Sequence, residues 1–324
     1  MIVTRTPLRI SFCGGGSDLP SYYERYGGHA VSTTIDKYVY LTLERSFHAD
    51  VTSLKYSTVE KVQDLDEIEH PIFRECLKMH DVHGVEINST ADIPSGTGMG
   101  SSSSFTVGLV NLLRAYQGKA SDKELLAKKA CEMEMEVLKE PIGKQDQYAA
   151  AYGGLNYYRF QKDGSVEVEH LALSKYVTDT LGRRLVLFYI GGQRNSSDIL
   201  KKQNRSSKKR DADQSKICSL AVRLKDDLLS GNADSLGKIL DESWKLKRGL
   251  TSGISNDEID DIYALGMDNG AVGGKLLGAG GAGFMLFYAH EEDQAGLKTA
   301  LRGCREIPFK MENEGSKIVF NDQS

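Results

Sequence analysis

A glycine-rich turn between a strand-like and a helix-like segment constrains the fold of this chain more than any other stretch. The strand-like segment is Val85–Asn88, and the helical pattern after the turn has an apolar face formed by Phe105, Leu109, Leu112, Leu113 and Tyr116. Alternating glycines let the backbone approach a ligand closely, and a helix start attracts anions with its free N–H groups. We therefore predict a phosphate site made by Pro94, Ser95, Gly96, Thr97, Gly98, Met99, Gly100, Ser101, Ser102 and Ser103.

The serines after the last glycine have two interpretations. In the first, Ser101 caps the new helix and the turn is purely structural. In the second, the hydroxyls of Ser101 and Ser102 reach a metal ion that is bound to the phosphate. The turn lacks the lysine of a Walker A loop, and its glycine spacing differs from the dinucleotide-binding fingerprint. Taken by itself, the turn leaves both interpretations open.

Composition narrows the class of protein. The chain has 324 residues, 40% apolar and 27% charged, which suits a protein of two domains. The order of strand-like and helix-like segments predicts an α+β fold with domains at residues 1–170 and 171–324. The formal net charge of −4 argues against a dedicated nucleic-acid-binding protein. Five cysteines without a CxxC pair favour reduced thiols and a cytoplasmic location. Because no stretch has the roughly 18 apolar residues of a membrane span, we expect no membrane partner.

Hydrophobic patterns place the main elements along the chain. Alternating or continuous apolar runs predict strands near residues 8–12, 38–44, 155–160, 185–190 and 284–288. Helical periodicity predicts helices near residues 71–80, 102–117 and 122–138 and across 197–247. The glycine-rich turn thus lies in a half that mixes strands with helices.

Two further glycine-rich segments flank the first one. They are Thr6–Asp18 near the start of the chain and Lys275–Gly283 near its end, and each alone fits an ordinary turn. With the run at 94–104 between them, their order resembles the three motifs of the GHMP kinases, a family that includes galactokinase, homoserine kinase, mevalonate kinase and phosphomevalonate kinase. The resemblance covers essentially the whole chain.

The resemblance implies a two-domain fold, with an N-terminal half like ribosomal S5 domain 2 and a ferredoxin-like C-terminal half. It also implies that the glycine-rich turn wraps the phosphates of ATP and that a serine directly after the last glycine ligates Mg²⁺. Ser101 and Ser102 stand in that place, and we assign the metal to Ser102. Lys55 and Ser57 are expected to border the adenine pocket, with a plain strand and turn as the alternative.

Two acidic residues twelve positions apart supply candidate chemistry. Glu134 and Asp146 have the spacing of a galactokinase pattern in which a helix glutamate binds Mg²⁺ and a later aspartate is the base. Pro141 and Gly143 interrupt the helix between them, so both carboxylates can turn toward one site. We expect Asp146 to accept the proton of the attacking hydroxyl and Arg9 to stabilise charge on the γ-phosphoryl group. A solvated helix face is the alternative for Glu134.

The acceptor is indicated by the turn at Gly14–Pro20. This turn resembles the branch of the family that contains fucose kinases and bacterial heptose-phosphate kinases. The resemblance implies phosphorylation of the anomeric C1 hydroxyl of D-glycero-D-manno-heptose 7-phosphate to the 1,7-bisphosphate, in GDP-heptose biosynthesis. The residues assigned to this small-molecule sugar phosphate are Gly16, Ser17, Asp18, Gly143 and Gly280. A kinase for another sugar such as fucose, and a catalytically silent sugar sensor of the same fold, are the alternatives.

The acceptor's own phosphate needs a cationic pocket. Arg194 and Ser197, which follow the apolar segment that ends at Ile190, are assigned to it because arginine grips phosphate with two N–H groups. The alternative is a helix N-terminus with Ser196 or Ser197 as the cap and Arg194 in solvent. The oligomeric state is left open, with a homo-oligomer as one alternative.

Overall fold

The strands of the protein form two sheets. The computed structural model describes residues 1–192, 199, 201 and 208–322. The strands are β1 (Ile2–Cys13), β2 (Gly28–Arg45), β3 (Thr52–Lys55), β4 (Val59–Val62), β5 (Val85–Ala91), β6 (Leu155–Phe160), β7 (Val166–His170), β8 (Leu185–Gly191), β9 (Ala271–Leu276), β10 (Gly283–Ala289), β11 (Arg305–Glu306), β12 (Met311–Glu312) and β13 (Lys317–Asn321). All five strands expected from the sequence are present.

Helices pack against both sheets. Those with described bounds are α1 (Pro20–Tyr26), α2 (Pro71–His80), α3 (Ser101–Tyr116), α4 (Lys123–Cys131), α5 (Gln145–Tyr152), α6 (Lys175–Arg184), α7 (Lys208–Leu229), α8 (Ser235–Lys247), α9 (Asp257–Asp268) and α10 (Gln294–Ala300). The helix expected over 122–138 is α4 followed by a π-helical segment, Glu132–Val137. In the described part of the chain, no helix is long and apolar enough to cross a membrane.

The long strand β2 organises the larger sheet. Its second half pairs with β5 up to Ala91, and its first half pairs with β6 from Leu155 onward. The sheet therefore divides along β2, and the chain leaves it at Ala91 to form the glycine-rich turn. Strand β1 lies on the other side of β2, and its register shifts after Pro7, which has no N–H to donate to a neighbouring strand. The shift precedes Arg9, which faces the start of α3.

The first domain's core lies between this sheet and helix α3. Phe105, Leu109, Leu112 and Leu113 are all buried, as the apolar face of the predicted helix requires. The packing fixes α3 against β1 and β2. Its N-terminus is thereby held beside the middle of β1.

The smaller sheet has the order β11-β8-β10-β9 and packs against α8. Trp244 of α8 is fully buried. Strands β12 and β13 leave this region and pair with β2 and β1 of the larger sheet. Both ends of the chain thus belong to one sheet, and the domain border near residue 170 stays a prediction.

Candidate active site

A cavity of about 470 Å³ opens where the three glycine-rich segments meet. Its wall includes residues of β1, the starts of α3 and α5, the end of α8 and the turn after β9. Its lining residues include Arg9, Gly16, Asp18, Gly96, Gly98, Gly100, Ser101, Ser102, Ser103, Glu134, Gly143, Gln145, Asp146, Lys247 and Gly278. Most of the residues predicted to act in one site are therefore brought together from distant parts of the chain.

The glycine-rich turn has a backbone that only glycine adopts easily. Gly96, Gly98 and Gly100 all have φ between +74° and +86°. A Cβ atom on Gly98 would lie 2.6 Å from the carbonyl oxygen of Leu277, and one on Gly278 would lie 2.4 Å from the Cα atom of Gly98. The turn that contains Gly98 and the turn after β9 thus touch through their backbones.

The start of helix α3 faces the cavity without a side-chain cap. The helix begins at Ser101 with Gly100 as its N-cap residue, and no side chain bonds to its first N–H groups. The interpretation of Ser101 as a helix cap is therefore wrong, because glycine occupies the cap position. The first N–H groups of a helix have no partner within it, so this end is suited to bind an anion.

Glu134 is buried under the first turn of α3. Its carboxylate accepts hydrogen bonds from Ser102 Oγ at 3.0 Å, Ser103 Oγ at 2.8 Å and Gln147 Nε2 at 2.6 Å. Only 2% of Glu134 is exposed, whereas Glu136 is exposed. Burial raises the pKa of the Glu134 carboxyl, and the three hydrogen bonds oppose that rise. The alternative of a solvated helix face is therefore wrong for Glu134.

The backbone between Glu134 and Asp146 turns both carboxylates inward. The π-helical segment adds a residue to the helical turn, and Lys139 then takes a left-handed backbone conformation with φ +57°. The helix is thus interrupted as predicted, but already before Pro141. Helix α5 starts at Gln145, and Asp146 lies in its first turn.

Arg9 holds Asp146 with two hydrogen bonds. Its Nε lies 2.7 Å from Oδ1 and its Nη2 lies 2.6 Å from Oδ2 of Asp146. The third nitrogen, Nη1, donates to the carbonyl oxygen of Gly98 at 2.7 Å. Arg9 is 5% exposed, while Asp146 is partly exposed to the cavity. One planar guanidinium therefore fixes the carboxylate and the phosphate turn relative to each other.

Asp18 is fixed by two backbone N–H groups. Oδ1 accepts from Gly16 N at 2.8 Å and Oδ2 from Gln145 N at 3.1 Å. A Cβ atom on Gly143 would lie 2.0 Å from Oδ2 of Asp18, so glycine is required there. Burial and, after it, the charge of Asp146 raise the pKa of Asp18. Gly16, Asp18 and Gly143 thus lie together at the cavity, as predicted.

Other residues predicted for the site lie beside it. Ser17 exchanges hydrogen bonds with the backbone of His29, and Gly280 packs against Ile254. Lys55 pairs with Glu86 on the neighbouring strand. The predicted residues that do not line the cavity are Ser17, Lys55, Ser57, Pro94, Ser95, Thr97, Met99 and Gly280. Arg194 and Ser197 lie outside the described residues, and their role stays a prediction.

Two buried lysines near the cavity were missed by the sequence reasoning. Lys247 at the end of α8 donates to the carbonyl oxygen of Gly278, and Lys275 of β9 donates to the carbonyl oxygens of Ser11 and Phe12 at 2.9 and 3.1 Å. Burial lowers the pKa of Lys275 to about 8 and that of Lys247 well below its usual range. The inward position of Lys247 could have been inferred from its spacing to apolar residues of the same helix.

That spacing is helical. Lys247 follows Leu240 and Trp244 at the intervals of one helix face, and both of those residues are fully buried. A lysine in register with the apolar face of a helix is expected to reach the interior. The burial of Lys247 could therefore be predicted from the sequence, whereas its contact with Gly278 could not.

Comparison with known proteins identifies the family. The family model for the GHMP kinases N terminal domain matches residues 67–154, and the model for the GHMP kinases C terminal domain matches residues 224–304. The chain belongs to the GHMP kinase family, which confirms the resemblance and the two-domain α+β fold. It is therefore a kinase, and ATP is the phosphoryl donor of this family.

Individual relatives agree with this assignment. The chain is 32% identical over 317 residues to D-glycero-alpha-D-manno-heptose 7-phosphate kinase of Campylobacter jejuni subsp. jejuni, with 93% of each chain covered. It is 25% identical to galactokinase of Pyrococcus furiosus, with 87% of each covered. A solved D-glycero-D-manno-heptose 1-phosphate kinase from Bacteroides thetaiotaomicron has a TM-score of 0.81 at 24% identity, with 100% of each chain covered. At that identity, the solved structure shows the fold alone.

Proposed function

We propose that this kinase transfers the γ-phosphoryl group of ATP to the anomeric C1 hydroxyl of D-glycero-D-manno-heptose 7-phosphate. The product is the 1,7-bisphosphate, an intermediate for GDP-heptose biosynthesis in the cytoplasm, where ATP is supplied. One observation carries the transfer step: Arg9 fixes the Asp146 carboxylate at the cavity wall, between the phosphate turn and Asp18. The Campylobacter relative supports the choice of acceptor.

The donor side of the cavity fits an ATP–magnesium complex. Gly96, Gly98 and Gly100 leave the turn free of side chains where a phosphate chain would lie, and α3 begins directly behind them. Mg²⁺ takes one or two protein ligands and completes its shell with phosphates and water, so a small set of oxygen ligands beside the phosphate turn would be enough to hold it.

Glu134 and Ser102 are the residues that would hold Mg²⁺. They already contact each other at 3.0 Å, and both line the cavity. When bound, the ion neutralises charge on the phosphates. The hydroxyl of Ser103 and the amide of Gln147 keep the Glu134 carboxylate oriented from behind.

The transfer itself needs positioning more than covalent help. In a loose transition state, the phosphoryl group carries spread negative charge, and the acceptor hydroxyl loses its proton late. Asp146 accepts that proton at its cavity-facing carboxylate, and Arg9 supplies positive charge beside the transferred group. The hydrogen bond that Arg9 donates to the carbonyl oxygen of Gly98 keeps this charge at the phosphate turn.

Asp18 is suited to bind the sugar. Its two oxygens each accept one backbone hydrogen bond and retain lone pairs for hydroxyl donors from the cavity. Gly16 and Gly143 leave the space beside it open. The acceptor's own phosphate remains assigned to Arg194 and Ser197, which stand outside the described residues.

The acceptor is tested by measuring ATP consumption over a matched panel. The panel holds heptoses and hexoses, including fucose, each with and without a terminal phosphate where the sugar permits one. We expect turnover with the heptose 7-phosphate and at most weak turnover with the free heptose. Activity confined to unphosphorylated sugars would overturn the 7-phosphate assignment. Ligand binding without turnover on any member would favour the sugar sensor.

A further inference from the structure

Lys247 is a buried cation in the wall of the catalytic cavity that the proposed transfer step does not use. It is 9% exposed, lies in the last turn of α8 and lines the cavity together with Gly278. Its ammonium has three N–H donors, and among the described residues its direct partner is the carbonyl oxygen of Gly278. Two donors therefore remain for a ligand in the cavity.

The electrostatic surroundings of Lys247 favour an anion. Burial and the nearby charges of Lys275 and Arg9 lower its pKa well below its usual range, while Asp18 and Asp146 act in the opposite direction. In the described part of the chain, no carboxylate forms an ion pair with it. A buried ammonium without a paired anion is costly, and a phosphate group in the cavity removes that cost.

The backbone contact of Lys247 places it at the junction of the two glycine-rich turns. Gly278, which accepts its hydrogen bond, lies against Gly98 of the phosphate turn. The carbonyl oxygen of Gly98 accepts the third hydrogen bond of Arg9. Lys247 and Arg9 thus bond to two turns that lie against each other, Lys247 to the turn after β9 and Arg9 to the phosphate turn.

We propose that Lys247 is a phosphate-binding residue, which keeps its bond to Gly278 and donates its remaining N–H groups to a phosphate oxygen of a bound ligand. The inference rests on the proposed kinase function. Two phosphates enter the cavity in that reaction, the γ-phosphate of ATP and the acceptor's own phosphate. Both present the same oxyanion chemistry to a lysine, and binding experiments separate them.

The test measures binding by calorimetry for Lys247→Met, Lys247→Arg and the wild type. The probes are ADP, a non-hydrolysable ATP analogue, the heptose 7-phosphate and the free heptose. Lys245→Met is the matched control, because Lys245 lies on the same helix but is exposed and pairs with Asp241. We expect Lys247→Met to weaken one phosphorylated probe at least tenfold, Lys247→Arg to restore part of that affinity, and Lys245→Met to change nothing.

The pattern of losses identifies the phosphate. A loss for the ATP analogue with ADP unchanged assigns Lys247 to the γ-phosphate, and a loss for the heptose 7-phosphate with heptose unchanged assigns it to the acceptor. Equal losses for both members of a pair, or no loss at all, would overturn the inference. If the wild type binds no heptose phosphate, the acceptor assignment fails by itself, and the nucleotide pair still decides the role of Lys247.

Discussion

Arg9 and Asp146 are 137 residues apart in the chain and form a bidentate ion pair, with Nε–Oδ1 and Nη2–Oδ2 distances of 2.7 and 2.6 Å. The same guanidinium bonds to the carbonyl oxygen of Gly98. A single side chain thereby sets the distance between the candidate base and the phosphate turn. We expect the alignment of donor and acceptor to depend on that geometry.

Arg9→Lys is expected to lower kcat by about 10²–10³-fold, the usual cost of removing one donor that stabilises transition-state charge. Lysine keeps the charge but cannot hold Asp146 with two parallel bonds and Gly98 with a third. Steady-state kinetics check this, with ADP affinity as a test of folding. The matched control is Arg5→Lys on the same strand, since Arg5 pairs with Glu312 and Glu314 away from the cavity. A kcat within threefold of the wild type would contradict the role of the ion pair.

Glu134→Gln is expected to abolish the strengthening of ATP binding by Mg²⁺ while leaving the fold intact. The substitution removes a buried charge, and the new amide can donate to Gln147 once that side-chain amide turns over and presents Oε1, which has no hydrogen-bond partner in the described structure, in place of Nε2. Calorimetric titration of an ATP analogue with and without Mg²⁺, together with thermal unfolding, measures both effects. Glu136→Gln, two residues along on the exposed side, is the control. Unchanged magnesium dependence would remove Glu134 from the metal site.

Gly98→Ala is expected to destabilise the protein more than Gly118→Ala and to weaken ATP binding. Both glycines have positive φ, +86° and +68°, so alanine meets a backbone strain of roughly 1–2 kcal/mol at either position. The Cβ atom at position 98 would also lie 2.6 Å from the carbonyl oxygen of Leu277, whereas nothing lies within 4 Å of one at position 118. Urea denaturation and ATP-analogue titration of both variants measure the difference. Equal effects would show that the contact between the turns contributes nothing.

We expect the free energy of unfolding to rise with pH in the protein that has Lys275, relative to the Lys275→Met variant. Burial lowers its pKa to about 8 from the ordinary 10.5, so the folded protein binds fewer protons than the unfolded chain between these values. The contribution of Lys275 to the free energy of unfolding is therefore lowest below pH 8 and rises by on the order of 3 kcal/mol toward pH 10.5. Urea denaturation at pH 7 and pH 10 tests this. Both proteins carry Cys13→Ala, because the neighbouring thiol also titrates. A constant difference between the two proteins would contradict the shift.

The elements that determine the donor site could be predicted from local sequence. The strand, turn and helix around Gly98 are encoded by neighbouring residues, because glycine conformations and apolar periodicity act over a few positions. The partners Arg9 and Asp146 were found because their segments carry motifs of their own. The family models and relatives confirmed the resulting family and fold.

The remaining features depend on packing between distant segments. Glu134 lies in a π-helical segment that no local sequence pattern predicted. The N-cap residue of α3 is Gly100 and not Ser101. The contact of Lys247 with Gly278 exists only because α8 and the turn after β9 meet at the cavity. The return of β13 to pair with β1 likewise joins residues from opposite ends of the chain.

The most direct test of the proposed reaction is ³¹P NMR of the product formed from ATP and D-glycero-D-manno-heptose 7-phosphate, with Asp146→Asn as the inactive control. We predict one ADP per turnover and a new phosphate signal coupled to the anomeric proton, with the 7-phosphate retained. Asp146→Asn should give no product while binding ATP nearly as well as the wild type. A new phosphate on any other carbon, or near-normal product formation by Asp146→Asn, would contradict the account.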